Sequence, residues 1–153
     1  MEVRKMTVAE AEDGFQTIKD YYYRNSRACS CLEHFSMQEA EAKIRSMIAH
    51  MADGSAIVYG CFDGTKLFGY LWAYEMQFRE ERRVYISEVH VDRSFRGEGF
   101  GTMLLEAAEA EARKRGIPAL YIHTEADNVG AIRLYERFGF QMERVQLRKP
   151  LYE

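Results

Sequence analysis

Three glycines at every second position of residues 97–101 mark the segment of this chain whose residue types could carry chemistry. A run of β-forming residues, 84–91, precedes them, and a helix-forming run, 102–115, follows. Glycines let a backbone approach a bulky ligand, and the N–H groups at a helix start favour a phosphate. Arg93 and Arg96 add guanidinium groups that can reach phosphate oxygens. The segment therefore predicts a binding site for a phosphorylated cofactor.

The spacing of these glycines argues against two common nucleotide-binding loops. A P-loop needs Lys and then Ser or Thr after its last glycine, whereas Gly101 is followed directly by Thr102. The dinucleotide fingerprint places glycines at positions one, three and six, whereas Gly97, Gly99 and Gly101 occupy one, three and five. The pattern that remains is Arg96-x-x-Gly99-x-Gly101.

A second segment, residues 128–140, has the spacing of a short amphipathic helix. Asn128 suits its N-cap, and Gly139 suits the position just after its end. Taken alone, the pattern fits a helix docked on a core, with Tyr135 half buried. The apolar residues recur at i, i+3, i+4 and i+7, as Ala131, Leu134, Tyr135 and Phe138.

Both segments resemble motifs of the GNAT superfamily of N-acetyltransferases. The first is similar to the coenzyme A pyrophosphate loop of that family, Gln/Arg-x-x-Gly-x-Gly/Ala. The second is similar to its Asn-x-x-Ala-x-x-Leu-Tyr-x-x-x-Gly-Phe segment, and the two occur in the family's order. The resemblance covers about residues 57–140, and more loosely the N-terminal third. It implies transfer of an acetyl group from acetyl-CoA to a primary amine of a small molecule or a peptide.

The resemblance also implies roles for individual residues. Tyr135 would act as the general acid that protonates the departing thiolate. Asn128 would contact the pantetheine arm or only cap its helix, and the sequence leaves both roles open. Acetyl-CoA would be held by Val89, His90, Val91, Arg96, Gly97, Glu98, Gly99, Phe100, Gly101, Thr102, Asn128 and Tyr135.

A general base is needed to deprotonate the acceptor amine. Glu88 is our candidate, because family members often carry an acidic residue at this point of the strand. A solvent-facing carboxylate fits the same residue equally. Asp92 and Glu75 are secondary candidates, and His90 is interpreted as a residue on the strand surface.

The alternation of side chains changes within the strand at residues 84–91. Apolar residues stand at even positions up to Ile86 and at odd positions from Val89. A β-bulge near Ser87 or Glu88 would shift the register and free a backbone N–H toward a thioester oxygen. An edge strand carrying two polar residues fits the same pattern.

The composition fits one soluble enzyme domain spanning residues 1–153. A hydrophobic content of 47% can build one core, and a net charge of −3 gives no nucleic-acid signature. No apolar run is long enough to cross a bilayer, so no membrane partner is expected. The 3 cysteines, Cys29, Cys31 and Cys61, are an odd and sparse set, which indicates a reducing compartment, the cytoplasm. Their spacing fits no zinc site, so no metal is expected.

The order of the elements predicts an α/β fold. Its central sheet would be mixed, mostly antiparallel and twisted, with one parallel strand pair and about four flanking helices, as in GNAT acyl-CoA N-acyltransferases. Two capping boxes, at Thr7 and Ser36, open the first two helices. Strands are predicted at residues 2–6, 56–62, 67–78, 84–91, 120–124 and 141–147, and helices at 7–23, 36–51, 99–115 and 128–138.

Three further questions stay open at this level. The chain could be a non-catalytic module that binds or senses acyl-CoA, or an acetyltransferase for aminoglycosides or polyamines, which a strongly acidic cleft would favour. Residues 21–23, three tyrosines, could form an aromatic wall in the acceptor site or simply end a helix. A homodimer could form through a sheet edge or through the C-terminal strand.

Overall fold

A computed structural model describes residues 1–28 and 34–152 of the chain. They form two compact units, Met1–His123 and Thr124–Glu153. In the described part of the chain, no helix has the length and hydrophobicity that a membrane span requires. The elements of the first unit are β1 (Glu2–Lys5), α1 (Val8–Asp13), α2 (Phe15–Arg27), α3 (Met37–Ala52), β2 (Ala56–Asp63), β3 (Lys66–Phe78), β4 (Glu81–Val91), α4 (Phe100–Lys114) and β5 (Leu120–Ile122), and the second unit contains α5 (Val129–Phe138).

The five strands of the first unit form one sheet in the order β1-β2-β3-β4-β5. The first four strands pair antiparallel, and β4 pairs with β5 in parallel. The parallel pair arises because α4 carries the chain back along the sheet between β4 and β5. The predicted mixed sheet with one parallel pair is confirmed.

Local side-chain bonds start two of the helices where the sequence predicts them. The hydroxyl of Thr7 accepts the backbone N–H of Glu10 at 3.1 Å, and the hydroxyl of Ser36 accepts that of Glu39 at 3.1 Å. In both cases the glutamate side chain accepts the backbone N–H of the capping residue in return, which completes a capping box.

The first predicted helix, residues 7–23, is instead two helices. Gly14 separates α1 from α2 with φ −87° and ψ 6°, which is outside the helical range. Glycine has a low helix propensity, so the chain can turn there at little cost. Helix α2 then continues beyond the predicted end, to Arg27.

The predicted last strand, residues 141–147, is wrong for the structure as described. Among residues 124–152, α5 is followed by backbone that pairs in no sheet. A strand needs a partner strand that bonds to its N–H and C=O groups, and residues 124–152 contain no strand.

Helices α1, α2 and α3 cover one face of the sheet, and α4 covers the other. The first core includes Ala11, Ile18, Tyr21, Ile44, Met47, Val58, Tyr70 and Trp72. The core on the other face lies between the sheet and α4 and includes Ile57, Leu71, Ala73, Val84, Ile86, Leu104, Leu105 and Ala108.

Of the three cysteines, one lies among the residues that the structure describes. Cys61 is free and buried in β2, and burial raises the pKa of its thiol to about 12. Cys29 and Cys31 lie outside the described residues.

Strand β4 contains one extra residue, Ser87. Trp72 of β3 pairs with Glu88, whereas the next residue of β3, Ala73, pairs with Ile86. The predicted bulge is therefore confirmed. Paired residues share a face and successive residues alternate, so Glu88 lies on the Trp72 face and Ile86 lies on the opposite one. The bulge turns the second half of β4 toward the face that α2 covers.

The close approach of β3 and β4 at the loop end of β4 can be tested at Gly69, which pairs with Val91. A Cβ atom on Gly69 would lie 2.8 Å from the carbonyl oxygen of His90 and 3.3 Å from the Cα of Val91. Backbone atoms cannot move aside easily, so Gly69→Ala should lower the free energy of unfolding by about 1–3 kcal/mol in urea titrations. Gly130→Ala is the control, because a Cβ there meets nothing within 4 Å. Equal stability of Gly69→Ala and the wild type would contradict this packing.

Candidate functional site

The turn between β4 and α4 is tied to the end of β4 by side-chain bonds. A short 3-10 turn, Arg93–Phe95, follows Asp92, whose carboxylate accepts the backbone N–H of Ser94 at 3.2 Å. The guanidinium of Arg96 donates to the carbonyl oxygen of Val91 at 2.9 Å. These bonds set the direction in which the chain enters the glycine loop.

One buried ring, Phe68 of β3, holds both ends of the loop. Phe95 stacks on it with ring centroids 4.1 Å apart, and Phe100 meets it edge-on at 4.9 Å. The backbone N–H of Asp92 also donates to the carbonyl oxygen of Phe68 at 2.7 Å. The loop is thus fixed to the sheet before any ligand binds, which reduces the entropy that binding must cost.

Two of the loop glycines adopt backbone angles that favour glycine, and neither is needed to avoid a steric clash. Gly97 and Gly99 have φ of 81° and 87°, and a Cβ on either would meet nothing within 4 Å. Gly99 precedes α4 without a side-chain cap, and the first helical bond runs from the N–H of Met103 to the carbonyl of Gly99 at 3.0 Å. The N–H groups of residues 100–102 therefore lie ahead of the helical ladder, at the positive end of its dipole. This donor set fits a diphosphate.

The second half of β4 has one edge beside which the described sheet provides no strand. Strand β5 pairs with β4 only from Val84 to Ile86, whereas β3 pairs with β4 as far as Val91. Backbone N–H and C=O groups on the β5 side, from Ser87 onward, can therefore bond an extended ligand as a strand would.

Glu88 is held on the α2 face of this half-strand. Its carboxylate oxygen Oε1 accepts a hydrogen bond from the Nδ2 of Asn25 at 2.9 Å. Loss of water around the carboxyl raises its pKa to about 7, although the bond from Asn25 lowers it. The Glu88 side chain is half-buried and has a bonded partner, Asn25. A carboxyl with this pKa can accept a proton at neutral pH.

The interpretation of His90 as a surface residue is wrong. Its imidazole packs on Tyr21 with ring centroids 4.1 Å apart and lies 6.5 Å from the ring of Tyr70. The bulge is the reason, because it pairs His90 with Tyr70 on the covered face. Burial, and then the charge of Arg96, lower the pKa of His90 to about 4, so the ring is neutral at pH 7. Its Nε2 and the hydroxyl of Tyr70 are buried with no hydrogen-bond partner among the described residues.

The two secondary carboxylates are engaged in other bonds. Asp92 also accepts the hydroxyl of Tyr21 at 3.1 Å. Glu75 pairs with Arg82 at 3.0 Å and with Arg115 at 3.3 Å. Hydrogen bonds to these ionised groups lower the pKa of both carboxyls, so neither resembles a base poised near neutrality.

The second unit contains the other predicted motif. The side chain of Asn128 accepts the N–H of Ala131 at 3.2 Å, which confirms its capping role. At the other end Gly139 has φ 116°, and the N–H of Phe140 donates to the carbonyl of Tyr135 at 2.9 Å, as in a Schellman motif. Tyr135 is half-buried and meets the ring of Phe140 at 5.9 Å. The predicted helix is confirmed.

Sequence reasoning missed the contribution of α2. Tyr21 and Asn25 bond to Asp92, Glu88 and His90, yet the sequence suggested Tyr21 only as part of a possible aromatic wall and gave Asn25 no role. A usable signal existed in the spacing, because both side chains continue, at i+3 and i+7, the helix face that begins with the buried Ile18. A polar residue on the apolar face of a helix indicates a buried partner.

Comparisons with known proteins agree with this arrangement. The sequence pattern of the acetyltransferase (GNAT) family matches residues 15–140. The uncharacterized N-acetyltransferase YdgE of Bacillus subtilis (strain 168) is 24% identical over 137 residues, which cover 88% of this chain and 87% of YdgE. The chain therefore belongs to the GNAT family of acetyltransferases.

Solved structures share the fold. The ribosomal-protein-alanine N-acetyltransferase of Brucella melitensis biovar Abortus 2308 matches with a TM-score of 0.71 and 14% identity, over 99% of this chain and 100% of that one. The aminoglycoside acetyltransferase HMB0005 from an uncultured soil metagenomic sample matches with a TM-score of 0.72 and 19% identity, over 99% and 98%. These two likenesses show the fold alone, and their acceptors differ.

The conformational requirement of the loop gives a direct test. Gly97→Ala and Gly99→Ala place a Cβ on backbone with φ of 81° and 87° and should turn the loop N–H groups away from a diphosphate. We expect each to weaken coenzyme A binding at least tenfold in isothermal titration calorimetry, with little loss of stability. Gly64→Ala is the matched control, since Gly64 has φ 62° and equally open surroundings in the β2–β3 turn. Unchanged coenzyme A affinity in both loop variants would remove the loop from the binding site.

Proposed function

We propose that this GNAT-family protein transfers the acetyl group of acetyl-CoA to a primary amine of a small molecule or a peptide. One observation carries the proposal. A carboxyl group with a pKa of about 7, that of Glu88, lies on the strand that leads directly into the glycine loop at residues 97–102. The carboxyl group suits removal of a proton from an amine, and the glycine loop suits binding of a diphosphate.

Acetyl-CoA would supply the activated thioester, and the protein would supply position and control of charge. In this proposal the N–H groups of residues 97–102 and the guanidinium of Arg96 hold the diphosphate. The open edge of β4, at residues 89–91, holds the pantetheine arm through backbone bonds. The support for this assignment is the absence of a strand beside that edge among the described residues, together with the uncapped start of α4.

Glu88 would remove a proton from the acceptor amine, directly or through a water. An amine attacks only when uncharged, and deprotonating a lysine-like amine of pKa about 10.4 at pH 7 costs about 4.6 kcal/mol. An α-amine of pKa about 8 costs only about 1.4 kcal/mol. A positioned carboxylate lowers this barrier by accepting the proton as the bond forms. Tyr135 would hold the proton that the departing sulfur requires.

The surroundings of Glu88 favour an acceptor with a single amine over a polyamine or an aminoglycoside. Its cross-strand neighbour is Trp72, and its bonded partner is the neutral Asn25. Burial, followed by the charge of Glu88, raises the pKa of the hydroxyls of Tyr22 and Tyr70, so both rings lie near it and stay neutral. One carboxylate within aromatic walls suits one ammonium group, whereas a polycation requires several carboxylates.

Replacing Glu88 tests the base. The wild-type kcat/KM should rise as the pH rises through about 7, because the carboxyl must be ionised to accept a proton. In Glu88→Gln we expect kcat/KM to fall about 10²- to 10⁴-fold and the inflection near pH 7 to disappear, which leaves only the rise that ionisation of the amine causes, as measured by thiol release over a panel of amines. Glu75→Gln is the control and should keep the inflection. A Glu88→Gln enzyme with the wild-type pH profile would eliminate Glu88 as the base.

Replacing Tyr135 separates catalysis from binding. Tyr135→Phe should lower kcat about 100-fold or more through loss of the general acid, while the affinity for coenzyme A stays unchanged. Tyr152→Phe, in an exposed tyrosine of the same unit, should leave both unchanged. If Tyr135→Phe keeps full kcat, the tyrosine has no part in the chemistry. If Glu88→Gln also leaves kcat/KM unchanged, the alternative of a non-catalytic acyl-CoA-binding module gains support.

A further inference from the structure

We propose that Asn25 is a positioning residue that fixes the carboxylate of Glu88 and, with the same amide nitrogen, holds the neutral ring of His90 with its proton on Nε2. The proposal rests on the proposed function, in which Glu88 is the base. It adds a residue of helix α2 that does not itself touch the reacting atoms.

The geometry is that of one donor group between two acceptors. The Nδ2 of Asn25 lies 2.9 Å from the Oε1 of Glu88 and 3.1 Å from the Nδ1 of His90. An ionised carboxylate can only accept, so the amide nitrogen and not its oxygen must face Glu88. The second hydrogen of the amide is then directed at Nδ1, which must accept. A neutral imidazole with an accepting Nδ1 carries its proton on Nε2.

Charged and titratable groups on α2, on β3 and at the end of β4 face this cluster. The groups near Glu88 are the hydroxyls of Tyr22, from α2, and Tyr70, from β3. His90 faces the ring of Tyr21, and three more distant charges act on it, those of Arg96, Asp92 and Arg24. Among the described residues, the side chain shown bonding to both Glu88 and His90 is that of Asn25.

Two consequences follow for the base. With Oε1 occupied by Asn25, the carboxyl is held in one orientation, and Oε2 is the oxygen that a substrate amine would approach. The bond also stabilises the ionised form, so its loss must raise the pKa of Glu88 further. Asn25 thus sets how much of the base is ionised at neutral pH.

The test uses the full chain without ligand, so its first readout does not depend on activity. The Glu88 carboxyl is titrated by carbon-13 NMR, and the tautomer of His90 is read from its nitrogen-15 shifts. In Asn25→Leu we expect the Glu88 midpoint to rise by about one pH unit and the preference for the Nε2–H tautomer to be lost. Asn25→Ala removes the same amide without adding bulk and should give the same two changes.

Gln16→Leu is the matched control, since Gln16 also carries an amide on α2 but is exposed. It should leave both readouts at their wild-type values. Wild-type titration and tautomer in Asn25→Leu and Asn25→Ala would overturn the proposal. Should Asn25→Leu fail to fold, the smaller truncation Asn25→Ala decides the matter by the same two readouts.

Activity then separates this proposal from the proposed function. If the pH dependence of kcat/KM shifts with the Glu88 midpoint in Asn25→Leu, both are supported. If the NMR midpoint shifts and the pH–rate profile does not, Asn25 still positions Glu88, and the role of Glu88 as the base is wrong.

Discussion

The single extra residue in β4, Ser87, determines which side of the sheet carries polar groups. Without it, Glu88 would continue the parity of Ile86 and face the apolar layer under α4 instead of Asn25. With it, Glu88 and His90 face α2, and the strand still ends where the glycine loop begins. The same bulge lies just beyond the last residue of β4 that pairs with β5. The half-buried carboxyl of Glu88 and the open backbone edge thus both begin at this one irregularity.

The position of the Glu88 carboxyl makes the stability of the protein depend on pH, and the pKa of this group gives the direction. The folded state raises the pKa of Glu88 from 4.5 to about 7, so the folded state binds the proton more tightly than the unfolded chain does. The contribution of this group to stability is therefore greatest below about pH 4.5 and is lost as the pH rises through about 7. Above that pH the protein holds an ionised carboxylate away from water, with Asn25 as its bonded donor. Such strain is common where a side chain must exchange protons near neutrality.

The parts of the fold that depend on local bonds could be predicted from the sequence. The capping box at Thr7 and the helix end at Gly139 involve residues within six positions of each other, and both are confirmed. The bulge was predictable because a change of side-chain parity is visible in the strand itself. The surroundings of His90 were not, because Tyr21 is distant in sequence and reaches it only once α2 packs on the sheet. The predicted strand at residues 141–147 was wrong for a related reason, since strand propensity alone does not supply a partner strand.

The central claim is that the amides of the glycine loop hold a diphosphate while Glu88 faces the reacting end of the same ligand. A crystal structure of the protein with coenzyme A tests this most directly. The account predicts diphosphate oxygens within about 3 Å of the N–H groups of residues 97–102, and the coenzyme sulfur along the open edge of β4 beside Glu88. A diphosphate bound elsewhere, or a sulfur directed away from Glu88, would contradict it.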